Sequence, residues 1–277
     1  MGYRMEHTGR DDRPIGVFDS GIGGLTAMKE LIRLLPNEDI IYYGDTARVP
    51  YGSHSPETII RYAKQDLSFL LRRDVKAVLV ACGTVSANAL DALRAMTDIP
   101  IIGVIDAAAA AAVQRTGNKR VAVLATSASV RSRAYSNAVH RMAPDVETVE
   151  KACPLFVPLI ENGYADSKNP VTRMVVRDYL QAIRPFSADT VILGCTHYPL
   201  LKAAIGEQMP NIELIEAGKE AARELVDLLR EKQMLADPNR YGTRHYAVSE
   251  ITASFRDNCT LFLGEDIGES IETVQFD

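Results

Sequence analysis

The chain has no CxxC pair, and its four cysteines stand far apart, at positions 82, 153, 195 and 259. That spacing excludes a disulfide-rich scaffold and points to a reducing compartment, so a cytoplasmic location is expected. No apolar stretch reaches transmembrane length; the alanine-rich run 107–113 is only helix-sized. The first thirteen residues are polar and hold no apolar centre, which argues against a signal peptide. They read as a disordered extension, 1–13. Basic residues are scattered rather than striped and the net charge is −5, so neither nucleic acid nor a membrane surface is an expected partner. A small acidic substrate remains compatible, because local amides and hydroxyls bind an anion whatever the net charge. The glycine-rich turn 19–24 lacks the dinucleotide GxGxxG register, and no suitable acid follows a second strand. Cys195-Thr196-His197 offers two metal ligands and nothing nearby completes a set, so no metal is expected.

What remains is a chain of 277 residues, 47% hydrophobic, large enough for one big domain or two ordinary ones. Strand-type and helix-type segments alternate, the mark of an α/β fold. Residues 15–18 read as a strand and 25–35 as a helix, with apolar Leu25, Met28, Leu31, Ile32 and Leu35 at helical spacing. Ser55-Pro56-Glu57 opens another helix, with Ser as N-cap, Pro at the first helical position and an acid in the first turn. Further helices are expected over 86–96, 130–142, 170–183, 198–209 and 219–232, and short strands with a terminal helix over 241–276.

Two frames match. Ala77-Val78-Leu79-Val80-Ala81-Cys82-Gly83-Thr84 and Thr190-Val191-Ile192-Leu193-Gly194-Cys195-Thr196-His197 each run as an apolar strand, a small residue, Cys, and Thr at once or one residue later. Continuous apolar runs of this length read as parallel strands buried on both faces. Residues 15–20 likewise correspond to 121–126. The repeat of about a hundred residues predicts two similar α/β lobes related by pseudo-two-fold symmetry, with mostly parallel sheets. The first comprises 14–106 plus 218–277, the second 107–217. A ligand site is expected between them, outside the carboxyl ends of the strands.

Taken singly, each cysteine reads as a small buried hydrophobe. The matched context reverses that reading for Cys82 and Cys195: two thiols at one site suit the removal of a proton from one face of a carbon and delivery to the other. A helix starting just after each is expected to lower the thiol pKa. Cys153 and Cys259 lack this setting and are read as packing residues. His197 is placed to tune Cys195. Asp19, at the end of the first strand, is placed to hold an ammonium or assist a thiol, and Ser20 and nearby amides to hold a carboxylate. Val49-Pro50-Tyr51-Gly52 is a turn by composition, with amides able to line an anion site.

Together these segments resemble the glutamate racemases of the cofactor-independent aspartate/glutamate racemase superfamily, over essentially the whole chain from residue 14. The marks are Val17-Phe18-Asp19-Ser20-Gly21-Ile22-Gly23-Gly24, Tyr43-Gly44-Asp45, Val49-Pro50-Tyr51-Gly52, Ala81-Cys82-Gly83-Thr84, Leu159-Ile160-Glu161-Asn162-Gly163 and Leu193-Gly194-Cys195-Thr196-His197-Tyr198-Pro199-Leu200. The resemblance implies interconversion of L- and D-glutamate without cofactor or metal, to supply bacterial peptidoglycan, by a homodimer. It implies that Cys82 takes the α-proton from the D-isomer and Cys195 from the L-isomer, with Asp19 and His197 assisting. Ser20 and the amides of Tyr51 and Gly52 would hold the side-chain carboxylate; Thr84, Thr126 and Thr196 would hold the α-carboxylate and amine. Glu161 would stand behind His197.

Position 83 departs from the family, which usually carries Asn there as a donor to substrate. Loss of a buried hydrogen bond to a charged group is worth roughly 1.5–3 kcal/mol. The Gly83 amide, or a water in the vacated space, is the expected replacement. An enlarged pocket floor would favour the alternative of an aspartate or broader-specificity racemase. Two other readings compete: a cysteine hydrolase using Cys195 with His197 as base, which has no use for Cys82, and an amino-acid-binding protein, which has no use for either thiol.

Overall fold

A computed structural model describes residues 10–251, 255–265, 267 and 271–276. Their strands are β1 (Ile15–Asp19), β2 (Ile40–Gly44), β3 (Ala77–Val80), β4 (Ile101–Gly103), β5 (Arg120–Ala125), β6 (Glu147–Ala152), β7 (Thr190–Leu193), β8 (Glu213–Glu216), β9 (Arg244–Val248) and β10 (Ile271–Thr273). Among the described residues they form two sheets, ordered β10-β9-β2-β1-β3-β4 and β6-β5-β7-β8. Every paired strand is parallel.

The repeat seen in the sequence is visible in that order: β2-β1-β3-β4 and β6-β5-β7-β8 are the same arrangement. Ile15 pairs with Ala77 as Val121 pairs with Thr190, so each cysteine strand lies beside the first strand of its own repeat. β1, β3 and β7 are buried throughout, because helices cover both faces of each sheet. That double burial is why the sequence runs apolar without alternation. The larger sheet gains β9 and β10 from the far end of the chain, with Ile40 opposite Arg244. Residues 241–276 thus supply the short strands expected of them and a helix (Phe255–Leu263), which is not terminal because β10 follows it.

Two helices carry the chain between the lobes. Val104–Arg115 leads from β4 to β5, and Ala217–Glu231 leads out of β8; they pack on one another. Ala107, Ala108, Ala109, Ala111 and Ala112 are buried in the first, and side chains this small let helices approach closely. The bland alanine run is therefore the spine between lobes.

Several helix limits differ from expectation. The helix expected over 86–96 starts at Gly83, directly after Cys82, and divides at Ala89 into Gly83–Asn88 and Leu90–Arg94. The one expected over 130–142 becomes Ser127–Ser132 and Ala134–Met142, broken where Arg133 takes φ 55°. The one over 198–209 begins as a 3₁₀ turn, Tyr198–Leu201, before Lys202–Gln208, so no α-helix starts at Cys195. The Ser55 cap holds, accepting from the Thr58 amide, with Pro56 opening Pro56–Leu71.

Residues 10–13 lie against residues 234–240. Lys76, wholly buried, pairs with Glu38 at 2.5 Å and donates to the carbonyls of Asp11 and Met234. Positions 1–9 of the expected extension lie outside the described residues. Among the described residues no helix is long and apolar enough to cross a membrane.

Candidate active site

A cavity of about 540 Å³ lies where the carboxyl ends of the two sheets face each other. Ser20, Tyr51, Gly52, Cys82, Gly83 and Thr84 line it from one lobe; Thr126, Glu161, Cys195, Thr196 and His197 line it from the other. Cys82 and Cys195 each stand two residues beyond their strands and are almost wholly buried. One hydroxyl pair spans the gap: Thr84 Oγ1 and Thr126 Oγ1 are 3.0 Å apart. A second tie runs from Thr26 Oγ1 to the carbonyl of Thr196, at 3.0 Å.

The surroundings of the two thiols differ. Cys82 Sγ lies 3.2 Å from Ser20 Oγ. Asp19 does not line the cavity; it is buried beneath it, accepting from the Gly21 amide at 3.0 Å through Oδ2, while Oδ1 has no hydrogen-bond partner. Desolvation raises the Asp19 pKa against the attraction of His197. Burial, and then the nearby Asp19 charge, push the Cys82 thiol up to about 12. The expected lowering by a helix start is thus overturned at Cys82: a helix of six residues does not outweigh removal from water beside an acid.

Cys195 Sγ lies 3.9 Å from His197 Nδ1, and His197 Nε2 lies 2.8 Å from Glu161 Oε1. Burial works against a charged imidazole, but the hydrogen bonds with Cys195 and Glu161 outweigh it and raise His197 to about 10. At neutral pH the ring is an imidazolium, donating from Nε2 to Glu161 and presenting Nδ1–H to the sulfur. Phe262 meets the same ring edge-on, with centroids 4.8 Å apart. Gly23 lies against it too: a Cβ there would overlap Thr196 Oγ1 and His197 Nδ1. The glycine turn after β1 therefore makes room for the histidine of the other lobe.

Tyr51 contributes its backbone to the cavity wall and turns its side chain inward. Its hydroxyl bonds to Asp45 and lies 3.1 Å from Asp66 Oδ2. Arg48 reaches the same two carboxylates, at 2.6 and 3.1 Å, and stacks over the Tyr62 ring. Burial and the neighbouring Asp45 raise Asp66 well above the usual carboxylate range. This buried cluster holds the loop whose residues 49–53 line the cavity. In the sequence Asp45 appeared only within Tyr43-Gly44-Asp45, and Arg48 and Asp66 were not singled out. Arg131, at the mouth, was not singled out either; it reaches the Gly52 carbonyl at 3.5 Å.

The space expected at position 83 is not vacant. A Cβ on Gly83 would lie 2.5 Å from the carbonyl oxygen of Gly194 and 3.3 Å from Tyr135 Oη. The pocket floor is closed there by the other lobe, which removes the argument for an enlarged site. Among the described residues no group of three His, Cys, Asp or Glu side chains is placed to hold a metal ion.

Residues 15–225 match the Asp/Glu/Hydantoin racemase family. A glutamate racemase of Geobacter metallireducens is 48% identical over 260 residues, 93% of this chain and 95% of that one. The crystal structure of glutamate racemase from Francisella tularensis in complex with D-glutamate superposes with a TM-score of 0.90 at 38% identity, covering 96% of this chain and 98% of that one. That of the glutamate racemase isoform RacE1 from Bacillus anthracis gives 0.90 at 35%, covering 95% and 97%.

Proposed function

This chain belongs to the Asp/Glu/Hydantoin racemase family and is a racemase; from that premise we propose that its substrate is glutamate and that Cys82 and Cys195 exchange the α-proton. The single observation that carries the mechanism is the pair of thiols at equivalent strand ends facing one cavity. With D-glutamate, the Cys82 thiolate takes the α-proton and the Cys195 thiol delivers its own to the opposite face. The L-isomer leaves, and the charge now rests on Cys195. The reverse reaction exchanges the roles. Each half-turnover moves one proton on and one off, so atoms and charge balance without an outside reagent.

The α-proton beside an ionised carboxylate is weakly acidic, and the carbanion needs donors around it and water kept out. Thr84, Thr126 and Thr196, which line the same cavity as the thiols, hold the α-carboxylate and amine. Ser20 and the amides of Tyr51 and Gly52 receive the side-chain carboxylate, with Gly83 offering its own amide. His197 steadies charge on Cys195, and Glu161 orients His197. Asp19, lying below Cys82, acts on that thiol rather than on the substrate ammonium. The product D-glutamate serves peptidoglycan synthesis, in the cytoplasm, and the working unit is a homodimer. The two-lobe division is 14–106 with 218–277 against 107–217.

Circular dichroism of D-glutamate with purified protein and EDTA, beside a D-aspartate control, tests the reading. Decay of the glutamate signal to zero is the expected result. A flat glutamate trace with a decaying aspartate trace overturns the substrate.

A further inference from the structure

Just beyond β5 the chain places a positive charge on the rim of the cavity. Thr126 caps the short helix Ser127–Ser132 by accepting from the Ser129 amide. Ser127 and Arg131 stand four apart in it, hence on one face, and helical side chains lean back towards the helix start. Both line the cavity. The loop 49–53 of the first lobe meets the same helix: a Cβ on Gly52 would lie 3.4 Å from the Thr126 Cβ. Across this seam Arg131 Nη2 donates to the Gly52 carbonyl at 3.5 Å, which is long for such a bond. Among the described residues that carbonyl is its one hydrogen-bond partner, and no carboxylate pairs with it. Arg48, behind the same loop, is the contrast: its guanidinium is committed to Asp45 and Asp66. The other charged side chains that line the cavity, His197 and Glu161, are engaged with one another. Arg131 is thus an exposed cation with donors to spare.

We propose that Arg131 selects for a substrate with a second carboxylate, taking hold of that group at the mouth as the amino acid enters. This rests on the reading of glutamate as substrate and deepens it. A carboxylate is a stronger acceptor than a peptide carbonyl, and its two oxygens match the guanidinium fork. An incoming side-chain carboxylate therefore displaces a loose contact with Gly52 rather than breaking an ion pair. The chain carries a net charge of −5, so a substrate with two carboxylates approaches against the field of the whole protein. A cation on the rim lowers that cost where it matters. Once the carboxylate has passed inward, the guanidinium returns to the Gly52 carbonyl and closes the seam behind it. Arg131 touches no reacting atom; it acts on affinity and on the choice of substrate.

Arg131→Gln, Arg131→Lys and Arg131→Glu test this, and substitutions at so exposed a position leave folding intact. Racemisation of glutamate is followed at ionic strengths from about 20 to 300 mM, which spans weak to strong screening. At low salt Arg131→Gln is expected to raise KM about three- to tenfold, the scale of an exposed charge pair, with kcat little changed. Arg131→Glu raises KM further, and Arg131→Lys, which keeps the charge and loses the fork, falls between. KM of the unsubstituted protein climbs with salt, whereas that of Arg131→Gln is nearly flat because the screened charge is gone. A loss of packing at the rim would not follow salt in this way. A fall in kcat at unchanged KM, or the same salt dependence with and without Arg131, overturns the proposal. Isothermal titration with glutarate, which has two carboxylates and no α-ammonium, reads the same preference without turnover. The unsubstituted protein is expected to bind it about three- to tenfold more tightly than Arg131→Gln does. Binding no tighter than that of the variant overturns the proposal. If the unsubstituted protein fails to racemise glutamate, the substrate reading falls, and the glutarate titration still decides whether Arg131 takes a second carboxylate.

Discussion

Cys82 and Cys195 occupy the same place in two sheets of the same strand order, yet one faces an acid and the other a cation. Below Cys82 lies Asp19, and the thiol is pushed up to about 12. Beside Cys195 stands His197, an imidazolium backed by Glu161. The backbone repeats; the electrostatics do not. A thiol held protonated suits donation, so on the proposed mechanism Cys82 is set to give a proton before it takes one. Symmetry supplies two thiols, and departure from symmetry gives them different surroundings.

The largest effect expected is from removing either sulfur. Cys82→Ser and Cys195→Ser should each lower racemisation by about 10²–10⁴-fold in both directions, because every turnover uses both groups. Polarimetry from each pure isomer checks this. A variant that kept full activity in one direction would break the pairing. Next is the difference in reactivity. With its thiol pushed up to about 12, Cys82 holds little thiolate near neutrality. Iodoacetamide at pH 8 should thus label Cys82 at least tenfold more slowly than a free cysteine in the same solution, read by peptide mass spectrometry. Labelling at the free rate would remove the proposed suppression at Cys82.

The smallest effect concerns stability. The folded state raises His197 from its ordinary 6.5 to about 10. A raised folded pKa means that the native protein binds the extra proton. Its stabilisation is complete below pH 6.5 and is lost as pH rises towards 10, at no more than about 1.4 kcal/mol per pH unit. Thermal melts of the wild type should fall more steeply over that window than melts of His197→Asn. Parallel curves would mean that the imidazole is not charged in the fold.

The sequence made the sheets legible because strands buried on both faces must read as unbroken apolar runs, and two such runs ended in the same frame. Sequence also drew eleven cavity-lining positions together, since strand ends and the turns after them converge by topology. It failed where a contact joins lobes or joins a loop to a helix face. Tyr51, Asp45, Arg48 and Asp66 form one buried cluster, but Asp66 sits on Pro56–Leu71 with the look of a solvent-facing acid. Gly83 read as a lost side chain and a gap, because nothing in its own segment announces Gly194 across the cleft. Thiol acidity was misjudged for a related reason. A helix start is visible in sequence, whereas the burial and the neighbouring acid that outweigh it are properties of the assembled site.

The seam between β2 and β9 bears on how the chain is made. The smaller sheet uses residues 120–216 without interruption. The larger one is finished only by residues from much further along: Thr243 donates its amide to Asp39, 204 positions earlier. During synthesis β2 can be nothing but a sheet edge, with its backbone groups unmatched, until 244–248 leave the ribosome. An open edge of this kind recruits strands from other chains. Closing that seam late makes β9 the segment on which escape from aggregation depends, although it contributes no atom to the cavity.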